Sequence, residues 1–419
     1  MEENIKSKTI FGIAWKTLEN FLVNIVQAII FLILARLLMP ADFGVIAIMA
    51  ALIGITNIFV NSGLGLALIQ SEDIDEIDIS SVLFFTMVIA LVAYILLFLL
   101  SPAISEFFNE PVIESILRIY SISIIFSAIN GVQKSILIRN LEFKKIFIIT
   151  FFSTLTSGFI SIAMAMNGYG VFALVFNSIF SGLLSTLFFA ISMKWLPRLV
   201  FSIKRLIILF NYSYKLVFSN IIEVIYTNMF PLLIGKSIGT EILGYYNNGR
   251  QIPSLLASTI NASISSVTFS VYSKYQNHRD KLRFITRETI IVSNFIILPI
   301  MAFIAALAEP IIVLILTDKW LPSVPFLQLF CIILGLHHQH NISLQAIAAI
   351  GRSDLFLKYQ IFKKIIGILL LLVTFQFGIM YIVIGQLLAS CIAIFLMIQP
   401  NKCILNYTIA DQLIDFLPY

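Results

Sequence analysis

The 419-residue chain has few charged residues and few cysteines. Asp, Glu, Lys and Arg make up 12% of it and hydrophobic residues 59%, whereas soluble domains carry about 25% charged residues. This composition excludes a soluble globular protein and indicates an integral membrane protein. The cysteines, Cys331, Cys391 and Cys403, show neither a disulfide framework nor the spacing of metal ligands.

The sequence also shows no signal peptide, no catalytic motif and no long loop. The first apolar run, residues 9–38, is too long for the core of a signal peptide, and no small-residue cleavage site follows it. No nucleophile–base pair, phosphate-binding glycine loop or redox motif is visible, and no loop is long enough for a folded soluble domain. We therefore expect no cleaved leader, no enzymatic activity, no cofactor and no nucleic-acid partner.

The apolar runs have the length of transmembrane helices, which need about 20 residues, and exceed barrel strands of about 9–11 residues. They predict an all-α polytopic membrane protein with twelve spans, at residues 10–38, 43–69, 80–104, 113–138, 146–166, 170–193, 211–235, 250–272, 289–316, 323–350, 356–377 and 379–400. Basic residues concentrate in alternate loops, which places the N- and C-termini in the cytoplasm. An acidic loop, residues 72–78, has no Lys or Arg and is interpreted as solvated.

A polar pattern occurs twice, about 200 residues apart. The first copy has Lys16, Asn20, Asn24 and Gln27, then Arg36 and Asp42-Phe43-Gly44; the second has Lys215, Ser219, Glu223 and Tyr226, then Lys236 and Ile242-Leu243-Gly244. Spacings of four, four and three residues lie on one face of a helix. Six spans separate the copies, so the halves are predicted to be parallel repeats. The predicted division is a six-helix lobe at 1–195, a cytoplasmic linker at 196–210, a second six-helix lobe at 211–402, and a tail at 403–419 resembling the start of a truncated helix.

These stripes predict a central hydrophilic cavity between the lobes, because polar groups facing lipid are costly. The alternative is hydrogen bonding between helices, worth about 0.6 kcal/mol per bond. Spans two and eight add further polar positions. The predicted substrate-binding residues are Lys16, Asn20, Asn24, Gln27, Arg36, Asn57, Asn61, Lys215, Lys236, Arg250, Ser258 and Asn261.

The charges of this predicted cavity are mostly basic and favour an anionic substrate. For Arg36 and Lys236, the alternative is that their side chains reach the lipid headgroups. Glu223 is a candidate for binding a coupling H⁺ or Na⁺, or else a structural partner of a basic residue. His337, His338 and His340 are interpreted as packing residues rather than as a metal site.

The stretch from Leu34 to Gly44, LARLLMPADFG, resembles the end of the first helix in Wzx-type polysaccharide exporters. These are flippases of lipid-linked oligosaccharides in the MATE-like MOP superfamily. Further stretches resemble its colanic-acid-exporter-like branch: Gly12 to Trp15, Asn61 to Leu64, Gly244 to Arg250, Lys319 to Pro322, and Gly351 to Asp354.

The resemblance implies two six-helix lobes around a central cavity in the bacterial cytoplasmic membrane. It implies alternating-access transport of undecaprenyl-diphosphate-linked repeat units for O-antigen, capsule or exopolysaccharide, near a polysaccharide polymerase and a chain-length regulator. Relatives often have fourteen helices, against twelve and a tail here. The alternative function is a MATE-like exporter of small molecules or drugs. A membrane polymerase or ligase would need larger outer loops.

Overall fold

The computed structural model describes residues 2–61, 63–71, 74–193, 197–275 and 278–416. Within these ranges every regular element is a helix. By length and apolar composition, nine segments of the described chain can cross a membrane. The predicted all-α polytopic architecture is therefore confirmed.

The chain divides into two compact units, Met1–Gly244 and Tyr245–Tyr419. Nine helices belong to the first unit: α1 (Glu2–Leu37), α2 (Pro40–Asn61), α3 (Leu64–Gln70), α4 (Glu76–Phe108), α5 (Val112–Tyr120), α6 (Ile122–Arg139), α7 (Phe143–Met166), α8 (Val171–Met193) and α9 (Ile203–Ser237). Helix α10 (Thr240–Lys274) contains the boundary. The second unit continues with α11 (Arg279–Ala306), α12 (Ala308–Leu316), a 3-10 turn (Asp318–Ser323), α13 (Val324–Ala349), α14 (Ser353–Thr374), a 3-10 turn (Phe375–Phe377), α15 (Ile379–Leu405) and α16 (Ile409–Phe416).

Three predicted spans are long helices that carry many polar residues. Helices α9, α10 and α14 have 35, 35 and 22 residues. The shortest of them is about 33 Å long at 1.5 Å per residue, enough for a hydrocarbon core of about 30 Å. The twelve-span count is consistent with these elements, although their polarity keeps them out of the nine clearly apolar segments.

Other predicted spans are interrupted. The second breaks at Gly63, whose φ of 67° lies in the left-handed region and which directly precedes α3. The fourth breaks at Ser121, between α5 and α6. Both breaks lie beside the cavity described below, so they determine which side chains reach it.

Helix α9 packs against α2, α3 and α4 of the first unit. Near its start, Leu206 and Leu209 join a buried cluster with Leu64 of α3 and Leu83 of α4. These contacts place α9 beside α2, where it lines the cavity. The predicted lobe boundary, with span seven in the second lobe, stays a prediction.

In the described part of the acidic loop, Asp75 and Glu76 are exposed, which agrees with its interpretation as solvated, and the loop also forms ion pairs. The Arg205 guanidinium lies 2.5 Å from Asp75 Oδ2 and 3.1 Å from Asp78 Oδ2, and Arg198 pairs with Glu76. Asp75 caps α4 by accepting from the backbone N–H groups of Ile77 and Asp78. The bond from the Asp78 N–H, followed by Arg205, lowers the pKa of Asp75. The start of α4 thus binds both the segment before α9 and the first turn of α9.

The second unit is built on α13, which packs against α11, α14 and α15. The tail forms α16, which packs on α11. Arg283 Nη2 lies 2.6 Å from Asp411 Oδ2, and Arg287 Nε lies 2.5 Å from Asp415 Oδ2. Tyr407 donates to the same buried Asp415 carboxylate over 2.9 Å. These charge-assisted bonds hold the tail against the unit.

The two copies of the repeated pattern end in a reciprocal contact. A Cβ on Gly44 would collide with the backbone carbonyl of Thr240, and a Cβ on Gly244 would collide with the carbonyl of Pro40. The four positions are related by the same offset of 200 residues. Glycine is required here because two backbones approach more closely than any side chain allows.

This contact yields a prediction. We expect Gly44→Ala, and independently Gly244→Ala, to destabilise the protein by about 1–3 kcal/mol, because a backbone carbonyl cannot move aside as a side chain can. The measurement is the thermal unfolding temperature of the detergent-solubilised protein. Gly335→Ala is the control, since its Cβ would lie 3.5 Å from the nearest side chain. Equal unfolding temperatures for all three variants would contradict the prediction.

Candidate functional site: a polar cavity in the first unit

The first unit contains a cavity formed by two adjoining pockets of about 470 and 420 Å³; it is called the polar cavity here because Asn, Ser and Lys side chains interrupt its largely apolar wall. Both pockets are lined by Asn57 and Asn61 of α2 and by Gly131 and Lys134 of α6. The larger one extends to α3 and α9, and the smaller one to α5 and α8. Their volumes lie within the range of about 300–1,000 Å³ that is usual for ligand sites.

Helix α6 supplies one wall through a polar stripe. Ser123, Ser127, Asn130 and Lys134 all line the smaller pocket at spacings of four, three and four residues. The Asn130 side chain is fixed by α8, since its Nδ2 donates to the Gly182 carbonyl over 3.1 Å. Its Oδ1 accepts from Thr186 Oγ1, also at 3.1 Å. These bonds orient the stripe toward the cavity.

Small residues let the cavity walls approach each other. A Cβ on Gly131 would lie 2.9 Å from Asn61 Oδ1, and one on Gly65 would lie 2.7 Å from Ser135 Oγ. Arg139, at the end of α6, donates to the carbonyls of Leu68, at 3.0 Å, and Ser71. These bonds satisfy carbonyls at the end of α3 that have no hydrogen-bond partner within the helix. They also join α3 to α6 at one end of the cavity.

A charged cluster lies beside this wall. The Glu19 carboxylate accepts from Lys16 Nζ over 2.7 Å, and its other oxygen lies 3.9 Å from Lys134 Nζ. Glu19 is 5% exposed, while each lysine side chain keeps 40% of its accessible surface. One buried carboxylate thus faces two lysines, and the cluster carries a net positive charge.

The cavity has hydrogen-bonding capacity that the chain does not use. Asn57 Oδ1 is buried and has no hydrogen-bond partner among the described residues. Such an atom costs about 1–3 kcal/mol unless a ligand or water donates to it. Lys134 is the charged group among the described lining residues. A cationic, amide-lined cavity suits an anionic molecule with many hydroxyl groups.

The cavity includes only part of the predicted site. Asn57 and Asn61 line it, and their contact with substrate stays a prediction. Asn20, Asn24, Gln27 and Arg36 of α1 are exposed side chains and are not among the described residues that line either pocket. Their substrate contact stays a prediction.

The predicted residues of α9 have different surroundings. The side chain of Lys215 lies outside the described part of the structure. Glu223 is exposed, and its carbonyl accepts from Thr227 Oγ1 over 3.0 Å. Lys236 lines a separate apolar groove, with its Nζ 4.8 Å from the centre of the Phe107 ring. Ion coupling at Glu223 stays a prediction.

Arg250, Ser258 and Asn261 belong to the second unit. The Arg250 guanidinium lies 6.0 Å from the centre of the Phe330 ring, and Ser258 Oγ donates to the Leu255 carbonyl over 3.0 Å. Asn261 is half-buried. Their substrate contact also stays a prediction.

The histidines of α13 each make a contact of their own. The Nζ of Lys363 lies 2.7 Å from His337 Nε2, His338 Nε2 lies 2.8 Å from Asn294 Oδ1, and His340 Nδ1 donates to the Ala393 carbonyl over 3.2 Å. These separate partners agree with the interpretation of the three residues as packing groups.

Lys134 was missed by the sequence analysis. Its signal was present, because the polar stripe of α6 has the same periodicity as the stripe of α1. The pairing of Lys16 with Glu19 follows from their spacing of three residues. The approach of Lys134 to Glu19 depends on tertiary packing and has no signal in the sequence.

Among solved structures, the fold is similar to transporters of one superfamily. It superimposes on the lipid II flippase MurJ in an inward closed conformation with a TM-score of 0.75, at 18% identity, covering 97% of this chain and 90% of that one. An inward-facing multidrug resistance MATE transporter of the MOP superfamily gives 0.69, at 15% identity, covering 92% and 95%. The predicted MATE-like MOP fold is confirmed.

Sequence comparison assigns the chain to a family within this group of folds. Residues 33–325 match the polysaccharide biosynthesis protein family, and the chain belongs to that family. It is 23% identical to the lipopolysaccharide biosynthesis protein WzxC of Escherichia coli over 96% of this chain and 81% of that protein. It is 24% identical to the teichuronic acid biosynthesis protein TuaB of Bacillus subtilis over 84% and 73%. The predicted resemblance to polysaccharide exporters is confirmed.

The charged cluster yields a second prediction. We expect Glu19→Gln to destabilise the protein by at most about 3 kcal/mol, because it leaves two lysines without their acidic partner but both stay partly exposed. Adding Lys134→Met should recover part of the loss. Thermal unfolding of both variants measures this coupling. Glu114→Gln is the control, since that carboxylate forms an exposed pair with Arg118; a loss as large as that of Glu19→Gln would contradict the prediction.

Proposed function

We propose that the chain is a flippase that moves polyprenyl-diphosphate-linked oligosaccharides across the membrane for surface polysaccharide synthesis. The family and the names of its relatives support a role in polysaccharide synthesis, and one relative is the succinoglycan biosynthesis transport protein ExoT of Rhizobium meliloti. These relatives and the superfamily fold favour a transporter over an enzyme. The observation that carries the proposal is the cationic polar cavity with Lys134 and the unpartnered Asn57.

The physical task is to carry a diphosphate and its sugars across about 30 Å of hydrocarbon. An isolated ion would face a cost of tens of kcal/mol in such a medium. Lys134 and Lys16 supply positive charge for the diphosphate, while Asn57, Asn61 and Asn130 supply amides for sugar hydroxyls. Glu19 holds the lysines in place when the cavity is empty, and the diphosphate competes with it for them. Lys215 and Arg250 are proposed as further diphosphate contacts.

Transport in this proposal proceeds by alternating access, with the predicted lobes rocking about the cavity. The proposal places the protein in the bacterial cytoplasmic membrane with both termini in the cytoplasm, as the distribution of basic residues predicts. It also includes association with a polysaccharide polymerase and a chain-length regulator.

The test is transport in proteoliposomes, using a fluorescent undecaprenyl diphosphate disaccharide and a membrane-impermeant quencher. The wild-type protein should accelerate exchange between leaflets. Lys134→Ala should slow it about tenfold or more, because one charge-assisted contact to the diphosphate is lost, worth about 1.5–3 kcal/mol. Lys134→Arg should recover part of the rate, and Lys358→Ala, at an exposed lysine of α14, should leave it unchanged.

Two outcomes would contradict the proposal. One is a wild-type rate equal to that of protein-free liposomes. The other is efflux of cationic dyes without any transport of the lipid-linked probe, which would favour the drug-exporter alternative. The cationic cavity argues against that alternative, since a cationic drug would meet Lys134 without a carboxylate among the described lining residues.

A further inference from the structure

A mainly apolar pocket lies within the second unit. It has a volume of about 150 Å³ and is bordered by α11, α13, α15 and the tail. Most of its lining side chains are apolar, among them Ile290, Leu336, Ile394 and Phe395. The Phe395 side chain is 63% exposed and lies on the membrane-spanning part of α15. The pocket therefore reaches the surface of the unit beside this ring.

This pocket contains a histidine nitrogen that the chain leaves without a partner. His340 lines the pocket and is 1% exposed. Its Nδ1 donates to the Ala393 carbonyl over 3.2 Å, and a neutral imidazole with its proton on Nδ1 presents Nε2 as an acceptor. That Nε2 has no hydrogen-bond partner among the described residues.

Asn401 contributes a second free acceptor to the same pocket. It is 2% exposed, and its Nδ2 donates to Ser343 Oγ and to Gln412 Oε1, each over 3.1 Å. Its Oδ1 has no partner among the described residues. The Gln412 Nε2 donates to the carbonyls of Ile398 and Tyr407. These bonds fix the direction of the Asn401 amide and leave its oxygen free.

Two buried acceptors in an apolar wall require a molecule that donates hydrogen bonds and is itself mostly apolar. An unpartnered buried acceptor is costly. Water alone satisfies this pocket poorly, because a buried water needs 2–4 polar partners and has a share of about 30 Å³. The pocket has the volume of about five waters, more than two acceptors can hold.

We propose that the pocket binds a small, membrane-soluble phenol or aromatic alcohol. The ring packs against the apolar wall, and the hydroxyl donates to His340 Nε2 or Asn401 Oδ1. Apolar cavities of about 150 Å³ hold one benzene-sized molecule. A neutral donor is favoured over an ammonium ion, because no carboxylate is among the described lining residues. Such molecules dissolve in lipid and can enter beside Phe395.

The tail closes one side of this site. Tyr407 and Gln412 line the pocket, and the bond from Asn401 to Gln412 joins α15 to α16. Arg283 and Arg287 of α11 hold the same tail by ion pairs. A ligand in the pocket therefore contacts the docked tail and stabilises it. This makes the pocket an effector site of the second unit, separate from the transport proposed above.

The test is ligand-observed fluorine NMR of the full chain in detergent, with 4-fluorophenol and fluorobenzene as probes. The two probes differ only in the hydroxyl group. We expect 4-fluorophenol to bind about threefold to tenfold more tightly, the range that one net hydrogen bond provides. Equal affinities would overturn the proposal, and so would binding of neither probe, which would leave water as the occupant.

Substitutions in α13 and α15 locate the binding. Cys391→Trp fills the pocket and should abolish binding of both probes, with Cys391→Leu as the smaller replacement if the first variant does not fold. His340→Phe and Asn401→Leu each remove one acceptor, and at least one of them should lower the preference for 4-fluorophenol about threefold. Leu388→Trp is the control, because Leu388 of α15 is 48% exposed and is not among the described lining residues. Unchanged binding in folded Cys391→Trp, or an unchanged preference in both acceptor variants, would overturn the proposal.

Hydrogen exchange measures the effect on the tail. Saturating 4-fluorophenol should slow the exchange of backbone amides in residues 407–416 about twofold or more in the wild type, because it stabilises the docked tail. The same addition should leave the exchange of Cys391→Trp unchanged. Unaltered exchange in the wild type with the probe bound would overturn the assignment of the pocket as an effector site.

Discussion

The arrangement of the first unit depends on the neutralisation of one buried carboxylate. Glu19 is almost completely buried and faces two lysines that come from different helices. A carboxylate in this position is tolerated only with cationic partners, so α1 and α6 are tied at one point. Because one acid faces two bases, the cluster keeps a positive charge that a second anion can use. Glu19 therefore holds the two lysines in place in the folded protein and also determines how much positive charge remains for a ligand.

The helices could be predicted largely from the sequence, because long apolar runs leave few alternatives in a membrane. Even α9, α10 and α14 were predicted, although their polar residues reduce the apolar signal. The breaks at Gly63 and Ser121 were not predicted, since the apolar pattern continues through them. The ion pairs of the acidic loop were not predicted for a related reason: the sequence shows that residues 72–78 lack bases of their own, but not that Arg198, before α9, and Arg205, in the first turn of α9, come to them.

The site was predictable only in part, because periodicity identifies the polar face of a helix but not what that face meets. Asn57 and Asn61 line the cavity of the first unit, while the equally regular stripe of Asn20, Asn24 and Gln27 is not among its described lining residues. The α6 stripe has the same helical periodicity, which does not distinguish a cavity-lining face from a helix-packing face. The end of α6 also has a counterpart 212 residues later, where Gln345 and Asp354 correspond to Gln133 and Glu142, and Ala346 there takes the place of Lys134. The cation of the cavity is thus a feature in which the halves differ.

The reciprocal contact of Gly44 with Thr240 and of Gly244 with Pro40 also constrains how the chain can vary in evolution. The contact is made by backbone atoms. The side chains around Gly44 and Gly244 can therefore vary, whereas the number of residues between each glycine and the start of its helix cannot. Inserting one residue before either glycine would shift it by about 1.5 Å along its helix and would disturb both halves of the contact at once. The number of residues from Pro40 to Gly44 must therefore match the number from Thr240 to Gly244. An insertion in one segment is tolerated only with a matching insertion in the other, about 200 residues away.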